Sequence, residues 1–581
     1  MSTSHTLFSS PSRSTLASAR RALVGTAAVS LLATSMAVTS APASAAAAEG
    51  SSTTSARDGS FSSVKARRSE QVVDTFGIGI HTAYWDTPYG DTARVASTLK
   101  DLGVEHVRDD LWNNLPRSYD DMNYIADAAG VKYTLILGNP SRGQAPKQYV
   151  DTVANHLLGS VEMIEGANEW DNFGPDNWVP QLRDYQAELH AAAKANSATK
   201  NLPLLAPALA FRENYSKLGT QTGVADLANS HLYPGGRNPS VDIADATQMG
   251  EARTGTTETI VTEAGYHNAT NTTSGHNPVN ENVSATYLPR MLAEHALAGT
   301  KRLYTYELLD GGTDTSRRDI EAHFGLLRTD FSPKPAYTAM KNMLAVLDDT
   351  EERFTPGSLS YNVSGGGSEL RQLLTQRSDG TYVLLLWRDV SVWSNGSRSE
   401  IDVATTPVQV SVPQESRIAI HEPNKSPKPT TDGVGTAVEV PLGGQLVAVT
   451  ISESDSGTPS LPPVEELPAQ PAGPAAAVVD KVKANPIRRG AKVRWKLDNR
   501  GSTSARAAAG KSTIKVFRGK RIVRTYHKAG KVRSLRVKNL SPKHRYRFAV
   551  VVTSKSGAKS KPTVSKPVKP RSNRNKKRSH R

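Results

Sequence analysis

The chain has 581 residues, 37% hydrophobic and 22% charged, with no cysteine and a formal net charge of +16. That length makes room for one large domain and at least one smaller one. The missing cysteines exclude disulfides, thiolate nucleophiles and zinc–thiolate sites. The charge is divided: residues 480–581 hold 34 lysines and arginines against two acids, a net of +32, which leaves −16 for the rest. An acidic body and a basic C-terminal part need separate explanations.

In chain order, residues 1–45 read as a signal peptide. A basic stretch ends at Arg20-Arg21, an apolar run follows from Ala22 to Val38, and Ala43-Ser44-Ala45 fits a small-residue cleavage site. Sec export is favoured over the twin-arginine route that the paired arginines loosely resemble. No later stretch approaches the ~20 apolar residues of a membrane span, so the mature protein is expected to be extracellular and secreted. Residues 46–70, rich in Ala, Ser, Thr and Arg, read as a disordered leader.

Residues 71–350 alternate short apolar runs with amphipathic segments. Strands are predicted at Phe76–His81, His106–Asp109, Tyr133–Leu137, Val161–Glu165, Leu202–Ala206, Leu227–His231, Thr259–Thr262 and Arg302–Tyr306. Helices are predicted at Thr92–Leu102, Tyr119–Ala129, Lys147–Leu158, Val179–Ala195, Val283–Ala298 and Lys334–Leu347. Eight strands with helices between them fit an α/β fold of the (β/α)₈ TIM-barrel type. An open doubly wound sheet fits less well, because no glycine-rich phosphate loop opens a helix after Gly77-Ile78-Gly79. Residues 351–453 change to strand-like runs and predict a C-terminal β-sandwich. Residues 454–477 form a Pro/Ala-rich linker, residues 478–570 a second, basic β-domain, and residues 571–581 a basic tail.

The chemistry sits at strand ends. Asn168-Glu169-Trp170 follows the strand Val161–Glu165, and Glu263-Ala264-Gly265-Tyr266 ends the strand that begins at Thr259. In a barrel the C-terminal strand ends converge on one pocket, so Glu169 and Glu263 can face each other across it. Two carboxylates about 5–5.5 Å apart suit retaining glycoside hydrolysis, in which one protonates the leaving oxygen and the other attacks the anomeric carbon. Their surroundings must push their pKa values apart. Trp85, Trp112, Trp170 and Trp178 fall in loops after strands, where aromatic faces suit stacking on sugars. Asp86, Asp171 and Asp176 make no recognisable calcium loop, and neither a metal nor a cofactor is predicted.

Residues 75–450 resemble clan A of the retaining glycoside hydrolases, and the appended β-sandwich resembles that of family 39. The resemblance implies Glu169 as acid/base, Glu263 as nucleophile and Asn168 as partner of the sugar 2-hydroxyl. Arg108 would hold the nucleophile ionised, and His231-Leu232-Tyr233 matches the clan's His-x-Tyr, whose tyrosine contacts the nucleophile. His81 would sit in the sugar subsite, and Phe324-Gly325-Leu326-Leu327-Arg328 resembles the segment after the eighth strand. The pattern departs at that strand, where the clan places a tryptophan and this chain has Tyr304-Thr305-Tyr306-Glu307. Tyr306 would serve as the stacking platform, with Glu307 or Asp310 as further sugar contacts. The implied substrate is a polysaccharide or oligosaccharide, and the long aromatic-bearing loops, which suggest several subsites, favour endo over exo action.

Residues 478–569 resemble a fibronectin type III module through Trp495, Leu540-Ser541-Pro542 ahead of Tyr546, and Phe548–Val552. A net of +32 exceeds what a spacer needs, and predicts attachment to an anionic cell-wall or matrix polymer. The segment contains no base-reading motif, so sequence-specific nucleic-acid binding is not expected. Another reading of the whole is a non-catalytic carbohydrate-binding or matrix protein on a barrel scaffold, for which the paired glutamates have no use. A nuclease would draw on the charge alone, without the carboxylate–histidine metal constellation that such chemistry uses.

Overall fold

The computed structural model describes residues 61–349, 353–454, 479–497, 509–519, 521–529, 532–554, 560 and 562–572. The predicted signal peptide, the leader up to residue 60, the linker beyond Ser454 and the tail beyond residue 572 lie outside the described residues. The chain divides into two compact units, at residues 457 and 458.

The first unit opens with a closed α/β barrel. Its strands are β1 (Phe76–Gly79), β2 (His106–Asp110), β3 (Lys132–Ile136), β4 (Val161–Glu165), β5 (the two-residue bridge Leu204-Leu205), β6 (Ala228–Leu232), β7 (Thr259–Ala264) and β8 (Arg302–Thr305). All pair in parallel: β1 with β2 and β8, β2 with β3, β3 with β4, β6 with β7 and β7 with β8. The gap between β4 and β6 is closed by β5, through Ile164–Leu204 and Leu205–Leu227 bridges. A (β/α)₈ barrel is therefore complete, although its fifth strand is reduced to two residues.

The helices α1 (Thr92–Leu102), α2 (Pro116–Ala129), α3 (Pro146–Thr152), α4 (Trp178–Ala195), α5 (Asn214–Leu218), α6 (Ile243–Thr254), α7 (Glu281–Ala298) and α8 (Pro335–Leu347) lie between or after the strands. Local chemistry sets their ends. The Asp91 carboxylate accepts the Arg94 N–H at the start of α1, and Asn280 does the same for Val283 at the start of α7. Gly103, with φ of 78°, ends α1 in the left-handed conformation that glycine adopts without a Cβ penalty. The predicted helix over 147–158 is divided, its second half being a π-turn at Val153–Leu157. Helices α5 and α6 were not anticipated.

Beyond the barrel lies one eight-stranded sheet. Its spine runs Ser358–Gly365, Thr406–His421, Val447–Glu453, Tyr382–Arg388 and Leu370–Gln376, with Thr431–Leu442 also paired to Thr406–His421. Its two ends are Ser62–Lys65, antiparallel to Ser358–Tyr361, and Arg67-Arg68, parallel to Thr375-Gln376. Only Ala66 separates these end strands, so the sheet curls over until its edges meet. Residues 61–70 are thus not leader. They are sheet edge followed by the start of the helix Ser69–Thr75, and their polar sequence reflects two short strands with few inward positions. The predicted strands Val408–Val412 and Arg417–His421 are one strand, irregular between Ser411 and Ser416.

Period-two alternation divides this sheet between two cores. Leu384, Leu386, Val447, Val449 and Ile451 face its own interior. Val383, Leu385, Trp387, Leu446 and Ala448 extend the barrel core instead. Trp387 donates its indole N–H to Glu294 of α7 at 2.7 Å, so barrel and sheet form one packed body.

The second unit is two antiparallel sheets. One contains Val479–Ile487, Gly490–Leu497 and Ser534–Val537; the other contains Arg521–Ala529, Ala509–Arg518, Arg547–Ser554 and Thr563-Val564. Between them pack Val482, Val493, Trp495, Ile514, Val516, Phe548, Val550 and Val552. The Tyr546 hydroxyl accepts the backbone N–H of Ser541 at 3.2 Å. Among the described residues, no helix is long and apolar enough to cross a membrane.

Candidate active site

The C-terminal strand ends gather the predicted residues into one polar cluster. Arg108, on β2, is its hub and is buried. Its Nε and Nη2 donate to the two carboxylate oxygens of Glu165 at 2.7 and 3.0 Å, the bidentate geometry that a planar guanidinium favours. Nη1 donates to Glu263 Oε1 at 2.6 Å, and Nη2 also reaches Asn168 Oδ1 at 2.7 Å. Two carboxylates and the charge-assisted hydrogen bonds to them hold the guanidinium fully charged, with its pKa raised despite burial.

Glu263, the fifth residue of β7, has both oxygens engaged. Tyr233 donates its hydroxyl to Oε2 at 2.7 Å, opposite the Arg108 contact on Oε1. Burial raises the pKa of this carboxyl. The nearby charges of His231 and Arg108 and the hydrogen bonds from Tyr233 and Arg108 outweigh it, and hold the group at about 2. Burial and the Glu263 charge push the Tyr233 phenol well above its ordinary value, so it remains a donor.

Glu169 stands just past β4 with φ of 43°, the left-handed region, at the start of the short helix Trp170–Phe173. Its Oε1 lies 2.7 Å from His231 Nδ1, and the same nitrogen is 3.6 Å from Glu263 Oε2. One oxygen of Glu169 and one of Glu263 lie within 4.8 Å of each other, with His231 between the two side chains. Burial lowers the His231 pKa, and the negative charges of Glu263 and Glu169 more than reverse this. Asn168 accepts from Arg108 through Oδ1, and its Nδ2 makes no protein hydrogen bond among the described residues.

By distance alone, Glu169, His231 and Glu263 could surround a cation. The donor set does not fit one, because both Glu263 oxygens are occupied and a guanidinium sits on one of them. A second trio, Asp74, Glu105 and His106, lies at the opposite strand ends. There His106 bridges Asp74 at 3.0 Å and Glu162 at 2.7 Å, beside Arg302.

A further group lies beyond β1 and β8. His81 Nε2 is 3.0 Å from Glu307 Oε2, which also accepts the Tyr89 hydroxyl at 3.0 Å. The His81 ring lies flat on Tyr84, with centroids 4.5 Å apart. Tyr306 donates its hydroxyl to Glu321 Oε2 at 3.0 Å. Phe324 packs edge-on against both Tyr306 and Tyr233, which joins this group to the Glu263 cluster. Burial and the Glu307 charge push the Glu321 carboxyl up to about 8, against the hydrogen bond from Tyr306.

Of the residues expected at the site, Glu169, Glu263, Asn168, Arg108, His231 and Tyr233 form one connected network. His81 and Tyr306 lie in the adjoining group. Trp170 does not behave as a stacking platform: it is 4% exposed, with its indole N–H 3.3 Å from Gln181 Oε1 on α4. Its ring fills the space between the short helix and α4 because helix packing there needs a large apolar side chain. Trp178 is also buried, while Trp85 and Trp112 each carry an arginine over one ring face. Asp310, considered as a sugar contact, is taken by Lys334 Nζ at 2.7 Å and the Gly325 N–H at 2.9 Å.

Sequence reading missed Glu165 and Glu321. Glu165 is fully buried and also accepts from Asn229 and Thr262, so four donors surround it. An acid closing the buried strand Val161–Glu165 was the available signal, because such a charge must be paired. Glu321 opens the short 3₁₀ turn Glu321–His323 and carries no pattern of its own.

No family model and no curated protein matches the sequence. Solved structures with a similar fold include a family 39 glycoside hydrolase from the gut symbiont Bacteroides cellulosilyticus WH2, at 14% identity and a TM-score of 0.49 over 66% of this chain and 82% of that one. A glucosidase from Croceicoccus marinus aligns at 14% identity and a TM-score of 0.48, over 68% and 97%. A monomeric β-xylosidase from Caulobacter crescentus CB15 aligns at 12% identity and a TM-score of 0.45, over 67% and 98%.

Proposed function

We propose that this chain is a secreted glycoside hydrolase that works by double displacement with net retention. The observation that carries the proposal is the spacing of Glu169 and Glu263, whose nearest carboxylate oxygens lie within 4.8 Å. Inverting enzymes hold their carboxyl groups about 6.5–9.5 Å apart to admit a water, whereas retaining ones use about 5–5.5 Å.

In this reading Glu263 attacks the anomeric carbon. It is suited to that step because Arg108 and Tyr233 keep it ionised and hold both oxygens in place. Glu169 delivers a proton to the departing oxygen, drawing on the 2.7 Å contact with His231 Nδ1. The ester that forms on Glu263 cancels its charge, and Glu169 then takes a proton from the incoming water. Asn168, its oxygen fixed by Arg108, has its amide N–H groups available for the sugar 2-hydroxyl, a contact that strengthens in the transition state. The substrate is a poly- or oligosaccharide, and residues 1–45 direct export.

The second unit reads as a fibronectin type III-like module that tethers the enzyme to an anionic polymer. Its sheets of three and four strands, buried Trp495, and Tyr546 folded back on Ser541 support that reading.

A polysaccharide and aryl-glycoside hydrolysis screen with wild type, Glu169→Gln and Glu263→Gln tests the function. Loss of one and the same activity in both variants supports it. A wild type that binds glycans and cleaves none overturns it in favour of a binding protein.

A further inference from the structure

The strand register of the second unit places its cations in an arrangement that folding alone does not favour. In the three-stranded sheet, Lys481 stands opposite Lys496, Lys483 opposite Arg494, and Lys492 opposite Arg536. The alternate residues Val482, Val493, Trp495, Leu535 and Val537 are buried in the core. All six cations therefore project from the outer face, where five are exposed and Lys492 is partly so. None of them is in an ion pair among the described residues. Like charges directly opposite each other across antiparallel strands destabilise a sheet, and this face has three such pairs in successive rows. Among the described residues, the four-stranded sheet has one such pair, Arg518 with Arg521 at a hairpin end, while its central rows set Thr513 beside His527 and Val551, and Lys515 beside Thr525 and Ala549.

We infer that the outer face of the sheet Val479–Ile487, Gly490–Leu497 and Ser534–Val537 is a docking surface for a linear acidic polysaccharide. The cations repeat about every 4.8 Å across strands and about every 6.8 Å along them, rows that a chain of carboxylates can follow. The outward residues here are Lys481, Lys483, Asn485, Ile487, Lys492, Arg494, Lys496, Ser534 and Arg536. They include no aromatic ring on which bases would stack, and the single large apolar side chain, Ile487, is half-buried at the strand end, too little to enter a bilayer. A glycan is further favoured by the carboxylate pair of the first unit, and to that extent the inference rests on the glycosidase reading. Binding releases counterions and relieves the repulsion between facing cations.

The test uses the full chain and measures binding to polygalacturonate, neutral dextran, poly(glycerol phosphate), duplex DNA and vesicles containing phosphatidylglycerol. One variant combines Lys481→Gln, Lys483→Gln, Arg494→Gln and Lys496→Gln. A charge-matched control combines Lys511→Gln, Arg518→Gln, Lys528→Gln and Arg547→Gln on the other sheet. The first variant is expected to lose polygalacturonate affinity more than tenfold, the control less than threefold. The first variant should also melt no lower than wild type, since two of its three repulsive pairs are gone. Equal losses in the two variants overturn the inference, as does wild-type binding to the phosphodiester polymers or vesicles that is tighter than to polygalacturonate. Aryl-glycoside hydrolysis is followed in parallel. Unchanged hydrolysis with unchanged polymer binding in the first variant refutes the docking face alone, and absent hydrolysis in wild type refutes the glycosidase reading alone.

Discussion

Arg108 and Glu165 form a bidentate pair inside the barrel, at 2.7 and 3.0 Å, and neither side chain is more than 5% exposed. The pair explains how a guanidinium can serve Glu263 without drifting. Glu165 neutralises it and sets its plane, which leaves Nη1 for Glu263 and part of Nη2 for Asn168. Glu165 acts through Arg108 and is a positioning residue.

That arrangement predicts a pH signature. Glu263 is depressed to about 2, against roughly 4.3 for an unfolded glutamate. Its contribution to stability is therefore fully present above pH ~4.3 and lost as the pH falls through about 2. Arg108→Met removes the cation that Glu165 and Glu263 share and leaves Glu165 buried without a charged partner, at a cost of about 3–5 kcal/mol at neutral pH. The stability difference between wild type and variant, measured by urea titration, should narrow between pH 5 and pH 2. A constant gap across that range would show that Arg108 does not set the Glu263 pKa.

The two glutamates should separate by leaving group. Glu263→Gln is expected to lower kcat/KM by about 10⁴-fold or more on every substrate, close to 5.5 kcal/mol of transition-state stabilisation. Glu169→Gln should cost about 10²–10⁴-fold on unactivated glycosides, and far less on aryl glycosides whose phenolate leaves unprotonated. Identical losses for the two variants on both substrates would contradict the assignment of acid/base and nucleophile.

Glu321 should mark the alkaline side. Its carboxyl is pushed up to about 8, so between pH ~4.3 and about 8 the unfolded chain releases this proton before the folded one does. Folded stability therefore declines across that window. Glu321→Gln keeps the hydrogen bond from Tyr306 and removes the titration. Its melting temperature should gain on wild type steadily from pH 5 to pH 8, read by scanning calorimetry.

At the opposite end of the barrel, His106 gives the reverse dependence. Burial lowers its pKa, and the hydrogen bonds to Asp74 and Glu162 raise it further than burial lowers it. The stability it provides is present below the unfolded histidine value near 6.5 and is lost as the pH rises through the higher folded value. His106→Asn should consequently destabilise the protein more at pH 5.5 than at pH 9, in the same urea titrations.

Much of the barrel was legible from the chain itself. Val161–Glu165 matched a strand at both ends and Thr92–Leu102 matched a helix, because apolar period and end signals such as Asp91 and Gly103 act within a few residues. Asn168-Glu169 and Glu263 were legible for a related reason: a polar residue that closes a short apolar strand stands out against its neighbours. Glu165 closes its strand and carries the same signal, but its pairing with Arg108 was not legible, since a parallel barrel buries both strand faces and leaves no polarity pattern to say which way an acid points.

The remaining features depend on residues far apart in the chain. Leu204-Leu205 is a strand only because Ile164 and Leu227 flank it. Ser62–Lys65 is a sheet edge only because residues 358–361 reach it, so it read as leader. Trp170 lies one residue after Glu169 and still turns into the core, where its indole N–H meets Gln181 of α4. The sequence by itself determined the elements and the types of side chain available for chemistry, through interactions within a turn or a strand. Only the tertiary structure decided which carboxylates became neighbours, because burial and charge pairing act between residues that meet only when the barrel closes.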